Sequence, residues 1–272
     1  MNVTIDVLRR AGRSVLPFSI FRRLSECYNF VAGARLLGVS RYRELRSLGL
    51  DCSSRDLTRT IEFQLPTLVE PISVRPGTSD AGSVIHTALR SGYGKFLPDG
   101  PVRCIVDAGA NIGDTTSWYL SRFPAARVVA LEPDPGNYEM LRRNCTGYGS
   151  RVIMLQRGLW HRTAQLKVMG DRRMESGLFV EETDREEDSD CSGISVSQIL
   201  SDLGEEQIDI FKCDIEGSET QVFGHSSDEW LARTRSIFIE IHGPEAYKTV
   251  IAATRRHSFT HRIYRDIHIF RR

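Results

Sequence analysis

Several signals that would place this sequence quickly are missing from it. None of its six cysteines (Cys27, Cys52, Cys104, Cys145, Cys191 and Cys213) stands in a C-x-x-C pair, which argues against a zinc ribbon or a thioredoxin-type site. No run approaches the roughly 18 apolar residues that a membrane-spanning helix requires. The N-terminus lacks the continuous apolar segment of a signal peptide, so the expectation is a cytoplasmic chain with reduced thiols. Internal repeats, a low-complexity tail and a G-x-G-x-x-G turn are absent as well. The formal net charge of +1 gives no global pull toward nucleic acid, and no nucleic-acid partner is expected.

What is there suits one α/β domain with an addition in front of it. The chain has 272 residues, 40% of them hydrophobic, enough for an ordinary core. Charge is uneven: residues 1–60 hold eleven Arg, no Lys and five acids, a local charge of 11 − 5 = +6. Phe18, Phe21, Leu24 and Tyr28 follow one helical face, and Val31, Leu36 and Leu37 continue it. Residues 1–60 therefore read as a basic helical extension and 61–272 as the main domain. The basic segment could dock a partner chain, an anionic lipid surface or an anionic substrate; the plainer reading is a helical cap with solvated Arg heads.

In the main domain, residues 60–65 and 68–74 read as short strands around Pro66, and a helix capped by Ser79 or Asp80 runs through Ala88 and Leu89. Beyond Gly100 strands and helices alternate: strands at 102–108, 127–131, 152–155, 208–213 and 237–241, helices at 114–122 and around 137–143. That order implies a mostly parallel sheet with helices on both faces. The acidic run 181–190 reads as a solvated loop. Cys104 and Cys213 lie in apolar strands and read as small core residues.

Two places carry chemistry. The first is Val106-Asp-Ala-Gly-Ala-Asn-Ile-Gly-Asp-Thr-Thr116, with Gly109 and Gly113 four apart between a strand and a helix. Ligands of doubly wound sheets bind at the carboxyl ends of strands. Glu132 ends the next strand, where an acid can accept both hydroxyls of a ribose. Asp107 and Asp114 flank the turn; they oppose a pyrophosphate and suit a cationic nucleoside such as S-adenosylmethionine. The second place is Asp209-Ile-Phe-Lys-Cys-Asp-Ile-Glu-Gly217 together with Ile237-Phe-Ile-Glu-Ile-His-Gly243. Strand alternation would put Asp214 with Glu216 and Glu240 with His242, converging on one cleft. The bland reading of this second place is a structural network in which Lys212 pairs an acid or His242 caps a loop. The other is an acid/base and substrate-orienting cluster.

At these residues the chain resembles the FkbM family of methyltransferases. The matching pieces are Val106-Asp-Ala-Gly-Ala-Asn-Ile-Gly113, Leu131-Glu-Pro-Asp134 with Asn137, Ile208-Asp-Ile-Phe-Lys-Cys-Asp-Ile-Glu-Gly-Ser-Glu219, and Ile239-Glu-Ile-His242. The loop Arg75-Pro-Gly-Thr-Ser-Asp80 is similar to a segment that precedes the turn in bacterial members. The likeness covers roughly residues 70–245; Cys213 departs from it, standing where Ile or Val is usual. The resemblance implies a class I methyltransferase fold, Rossmann-like and doubly wound, with S-adenosylmethionine as donor and O-methylation of a small molecule, sugar or natural product. Asp107, Gly109, Asn111, Gly113 and Glu132 would hold the cofactor, with Asp114, Thr115 and Asn137 completing the set. Asp214, Glu216 and His242 would lie at the methyl group; of these, His242 is the preferred general base because its ordinary pKa of ~6.5 suits neutral pH, and Asp214 is the second choice. No metal site is assigned; a divalent cation on Asp214 and Glu240 is the alternative to a protein base. An NAD-dependent oxidoreductase and a non-catalytic nucleoside-binding module are the competing functions. A homodimer is compatible with the sequence, which does not fix it.

Overall fold

A computed structural model describes residues 30–31, 33–49, 57–89, 96–170 and 177–272. Its centre is a seven-stranded sheet that includes β3 (Cys104–Ala108), β4 (Arg127–Leu131), β5 (Val152–Leu155), β10 (Ile208–Cys213) and β11 (Thr234–Glu240), all parallel. A C-terminal hairpin, β12 (Thr260–Tyr264) and β13 (Ile267–Arg271), completes it, β13 lying antiparallel to β11. The order β12-β13-β11-β10-β3-β4-β5 is the doubly wound arrangement expected from the alternating pattern. Within this sheet the path enters at β3, winds outward through β4 and β5, then returns to β10 on the other side. The switch point therefore lies between β3 and β10, the crevice where such sheets bind ligands.

β3 and β10 are buried along their whole length, as strands covered on both faces must be. One face packs Val106, Leu131, Phe211 and Ile237 against Ile199, Phe223, Trp230 and Val250, from α5 (Val196–Leu203), α6 (Glu219–Gly224), α7 (Ser227–Leu231) and α8 (Pro244–Arg256). The other packs Ile105, Val128 and Ile210 against Tyr119 of α3 (Asp114–Arg122) and Leu141 of α4 (Pro135–Cys145). The free thiols of Cys104, Cys145, Cys191 and Cys213 are buried, and burial pushes those of Cys104 and Cys145 up to about 12, so they are core residues and not nucleophiles.

Two smaller units lean on this sheet. The short pair β1 (Ile61–Phe63) and β2 (Ile72–Val74) is antiparallel; with α1 (Val39–Leu48) and α2 (Asp80–Leu89) it forms a cluster around Leu45, Phe63, Ile72 and Val84 that also takes in Ile112 and Met140. On α1, Tyr42 and Leu45 are buried while Arg41 and Arg43 stay exposed, and the Arg41 guanidinium lies over the Phe63 ring. This stretch of the extension is thus packed on the domain, as a cap with solvated Arg heads would be. The helical face through Phe18, Phe21, Leu24 and Tyr28 lies outside the described residues, as do Cys27 and Cys52.

The second unit was not foreseen. β6 (Arg157–Leu159), β7 (Gln165–Met169), β8 (Phe179–Glu182) and β9 (Cys191–Ile194) form a separate sheet of order β6-β9-β7-β8. The acidic run starts inside it, with Glu181 and Glu182 on β8, and only then becomes an exposed turn at Glu186–Asp188. Among the described residues no helix is long and apolar enough to cross a membrane.

Candidate functional site

The turn after β3 is built for close packing. Gly109 adopts φ 73°, and a Cβ there would come within 1.8 Å of the Asp214 carbonyl oxygen. Gly113, at φ 84°, touches α4: a Cβ would meet Cys145 Sγ and Leu141 Cδ1 at 2.8 Å. Both glycines are therefore required by neighbouring backbone and core, and Gly109 also lines a cavity. Gly113 belongs to the packing that seats α3.

Asp107 does not reach the crevice. It is 0% exposed, accepts a hydrogen bond from Thr116 Oγ1 at 2.6 Å and has Lys212 Nζ 3.2 Å from its other oxygen. Lys212 Nζ also donates to the carbonyl of Gly109 at 2.5 Å. Asp107 and Lys212 thus form the buried network of the bland reading, and they hold the glycine turn between β3 and β10. In this arrangement Asp107 orients the turn. Asp114 is also buried, bonded to the Thr87 hydroxyl, and burial holds its pKa above the usual carboxylate range.

Glu132, 5% exposed, faces a cavity of about 600 Å³ shared with Gly109, Asn111 and Asn137 and walled by Leu159, Phe179 and Ile215. Its Oε2 accepts the Asn111 N–H at 2.8 Å and its Oε1 the Asp134 N–H at 3.1 Å. Each oxygen keeps a further lone pair. Burial drives the Glu132 pKa up to about 7 against those two amides. Asn111 has a positive φ of 50°, and its Oδ1 is shielded from solvent with no hydrogen-bond partner. Asn137 is oriented from outside the crevice: Arg75 donates to its Oδ1 at 2.8 Å while gripping Asp80 through two bonds of 2.8 Å. In the sequence this loop stands out as a resemblance and as a candidate helix cap, neither of which shows the Arg75–Asp80 pair. Its signal is an Arg and an Asp five residues apart around Pro-Gly, both buried.

Past β10 the chain turns sharply, with Glu216 at φ 52° and Gly217 at φ 110°. That turn, not strand alternation, brings the Glu216 carboxylate to His242, which lies beyond the end of β11. His242 Nε2 is 3.2 Å from Glu216 Oε2, and Nδ1 is 2.8 Å from Oε1 of Glu219, itself 0% exposed. The bond to Glu219, with the charges of Glu219, Glu216 and Asp214, raises the imidazole pKa to about 9 against its burial. The expected pKa near 6–7 is therefore corrected: between Glu216 and Glu219 the ring keeps its second proton at neutral pH, and its Nε2 lone pair is open only to a group that displaces that proton.

Asp214 stands on the partition between two spaces. It and Glu216 line the Glu132 cavity and also a larger, open one of about 1290 Å³. The larger space has a polar wall from Ser83, His86, Glu240, Arg265 and Asp266. A third, smaller cavity joins Gly109, Asp114, Thr115, Lys212 and Glu240. His86, Arg265 and Asp266 were missed from sequence because they come from α2 and the β12–β13 turn, far from any motif.

A model of the Methyltransferase FkbM domain matches residues 107–265. The chain is 27% identical over 216 residues to the AMB antimetabolite synthetase AmbE of Pseudomonas aeruginosa, covering 64% of this chain and 10% of that protein. It is 29% identical over 189 residues to Methyltransferase sdnD of Sordaria araneosa, covering 58% of this chain and 72% of that one. The chain thus spans a tenth of the first relative and nearly three quarters of the second. A solved precorrin-6y C5,15-methyltransferase from Geobacter metallireducens is 11% identical, with 67% of this chain and 85% of that chain covered at a TM-score of 0.42, too low for the likeness to carry an argument.

Proposed function

The chain belongs to the FkbM methyltransferase family, whose methyl donor is S-adenosylmethionine, and on that premise we propose that it methylates a hydroxyl oxygen of a polar small molecule, sugar or natural product. The observation that carries the reading is the partition: Asn111, Asp214 and Glu216 line both the Glu132 cavity and the larger polar one. A donor on one side and an acceptor on the other would meet at those residues.

The donor side fits its ligand. Glu132 offers one lone pair per oxygen to a ribose diol, and the unpartnered Asn111 Oδ1 offers a further acceptor. Asp114, Thr115 and Asn137 frame the same turn, with Asp107 holding it from below. When bound, the donor supplies a methyl group on a positively charged sulfur that departs as a neutral thioether. The remaining work falls to the chain: aligning the acceptor oxygen in line with that methyl, and taking its proton. Asp214 is the carboxylate at the partition suited to receive the proton, and the imidazolium of His242 keeps Glu216 in place beside it. The polar wall of Ser83, His86, Glu240, Arg265 and Asp266 suits a hydroxyl-rich acceptor better than a flat apolar one.

The test is turnover by Asp214→Asn with hydroxylated acceptors, followed as S-adenosylhomocysteine release and product mass. Loss of a general base should lower kcat by ~10²–10⁴ with little change in S-adenosylhomocysteine affinity. A folded variant with near-normal kcat would remove Asp214 from this role, and methylation at nitrogen or carbon would overturn the oxygen assignment.

A further inference from the structure

We propose that Asp214, Glu216 and His242 form a binding site for a divalent cation of the Mn²⁺ kind, set into the partition between the two cavities. One donor atom from each of the three lies within 4.8 Å of the other two, a spacing that one ion can bridge. All three are partly exposed, so a cation can enter and keep coordination positions free. The cluster the fold assembles around Asp214 takes Glu216 and His242, not the Glu240 considered from sequence.

A second, independent feature is Glu219, which is not one of the three. Its carboxylate is 0% exposed and is turned toward the cluster: Oε1 accepts both the Gly217 N–H at 3.3 Å and the His242 Nδ1–H at 2.8 Å. Its Oε2 is buried with no hydrogen-bond partner. A buried carboxylate is a costly group, and this one fixes a histidine ring so that Nε2 faces the other two donors. That is the carboxylate–histidine–metal pattern, in which the outer carboxylate sets the ring's orientation and raises its basicity. A cation takes the place of the Nε2 proton and leaves Glu219 holding the proton on Nδ1.

The donor set defines the ion. Carboxylates suit Mg²⁺, Ca²⁺ and Mn²⁺, whereas imidazole suits the transition metals; two carboxylates with one imidazole meet at Mn²⁺. Three protein ligands leave room for acceptor oxygens from the polar cavity, such as two neighbouring hydroxyls. The use of the cation to seat the acceptor rests on the methyl-transfer reading, but its binding does not, and Asp214, which gives the ion one oxygen, keeps the other for the acceptor proton.

The experiment is titration of the chelator-treated full chain with MnCl₂ alone, followed by the electron-spin signal of free Mn²⁺. We expect one ion per chain. His242→Ala and Glu216→Gln should each weaken binding at least tenfold, and Glu219→Ala by ~10–100-fold with partial recovery in Glu219→Gln. Glu240→Gln should change Mn²⁺ binding by less than about twofold, since it lies outside the cluster. Calorimetry with S-adenosylhomocysteine on each variant reports whether the protein is folded and separates the two readings: its failure in the wild type would strike the donor assignment and leave the cation site standing. Absence of Mn²⁺ binding at millimolar concentration, or binding unaffected by His242→Ala and Glu216→Gln in folded protein, would overturn the proposal.

Discussion

At the scale of single residues, the account turns on Glu132. A carboxylate that accepts a diol must be ionised, and burial sets its pKa at about 7, above the ordinary value near 4.5. A carboxyl group raised in this way makes the folded ligand-free protein less stable as pH climbs from 4.5 to 7, because the buried charge is then being formed. Ligand affinity runs the opposite way. If only the ionised form binds, S-adenosylhomocysteine should bind about tenfold more weakly at pH 6 than at pH 8, with one proton released on binding near pH 6. Glu132→Ala should flatten this dependence and weaken binding throughout, since each lost charge-assisted hydrogen bond is worth ~1.5–3 kcal/mol. Calorimetry across that range checks both; a flat wild-type profile, or an unchanged Kd in Glu132→Ala, would dismiss the ribose assignment.

At the scale of elements, the loop between β2 and α2 is an arm that reaches over α4. Arg75 is 4% exposed and Asp80 0%, and the guanidinium spans from Asp80 to the Asn137 amide. Asn137 also belongs to the capped start of α4, where its N–H bonds Asp134. The arm therefore couples the front unit to the wall of the donor cavity. Removing one partner of a buried ion pair leaves a desolvated charge and costs about 3–5 kcal/mol. Arg75→Met should lose stability of that order by denaturant melting, and Asp80→Asn no less, because it leaves the buried Arg75 guanidinium with no carboxylate and no way to shed its charge. If Arg75→Met melts like the wild type, the pair is not the clamp described here.

At the scale of the whole molecule, what was legible depended on whether one strand carried its own signal. The five parallel strands could be read because burial on both faces makes each a continuous apolar run, as in Ile208-Asp-Ile-Phe-Lys-Cys213. The β6–β9 sheet could not: Gln165–Met169 and Phe179–Glu182 bury one face only and sit among charged residues. Glu132 and Asn111 were readable because the strand end and turn that position them are local. The fates of Asp107 and His242 were not, since both depend on distant partners. Lys212 comes from another strand, and Glu219 buries its carboxylate on a short helix after β10 to raise the pKa of an imidazole beyond the end of the neighbouring β11. The polar wall was invisible for the same reason, being gathered from α2, β11 and the final hairpin.

The most direct test of the account is a crystal structure of the full chain with S-adenosylhomocysteine. The ribose hydroxyls should lie on Glu132 and the sulfur should turn toward the partition of Asn111, Asp214 and Glu216, with the polar cavity open beyond it. Ligand lodged in that polar cavity, or a ribose directed away from Glu132, would contradict it.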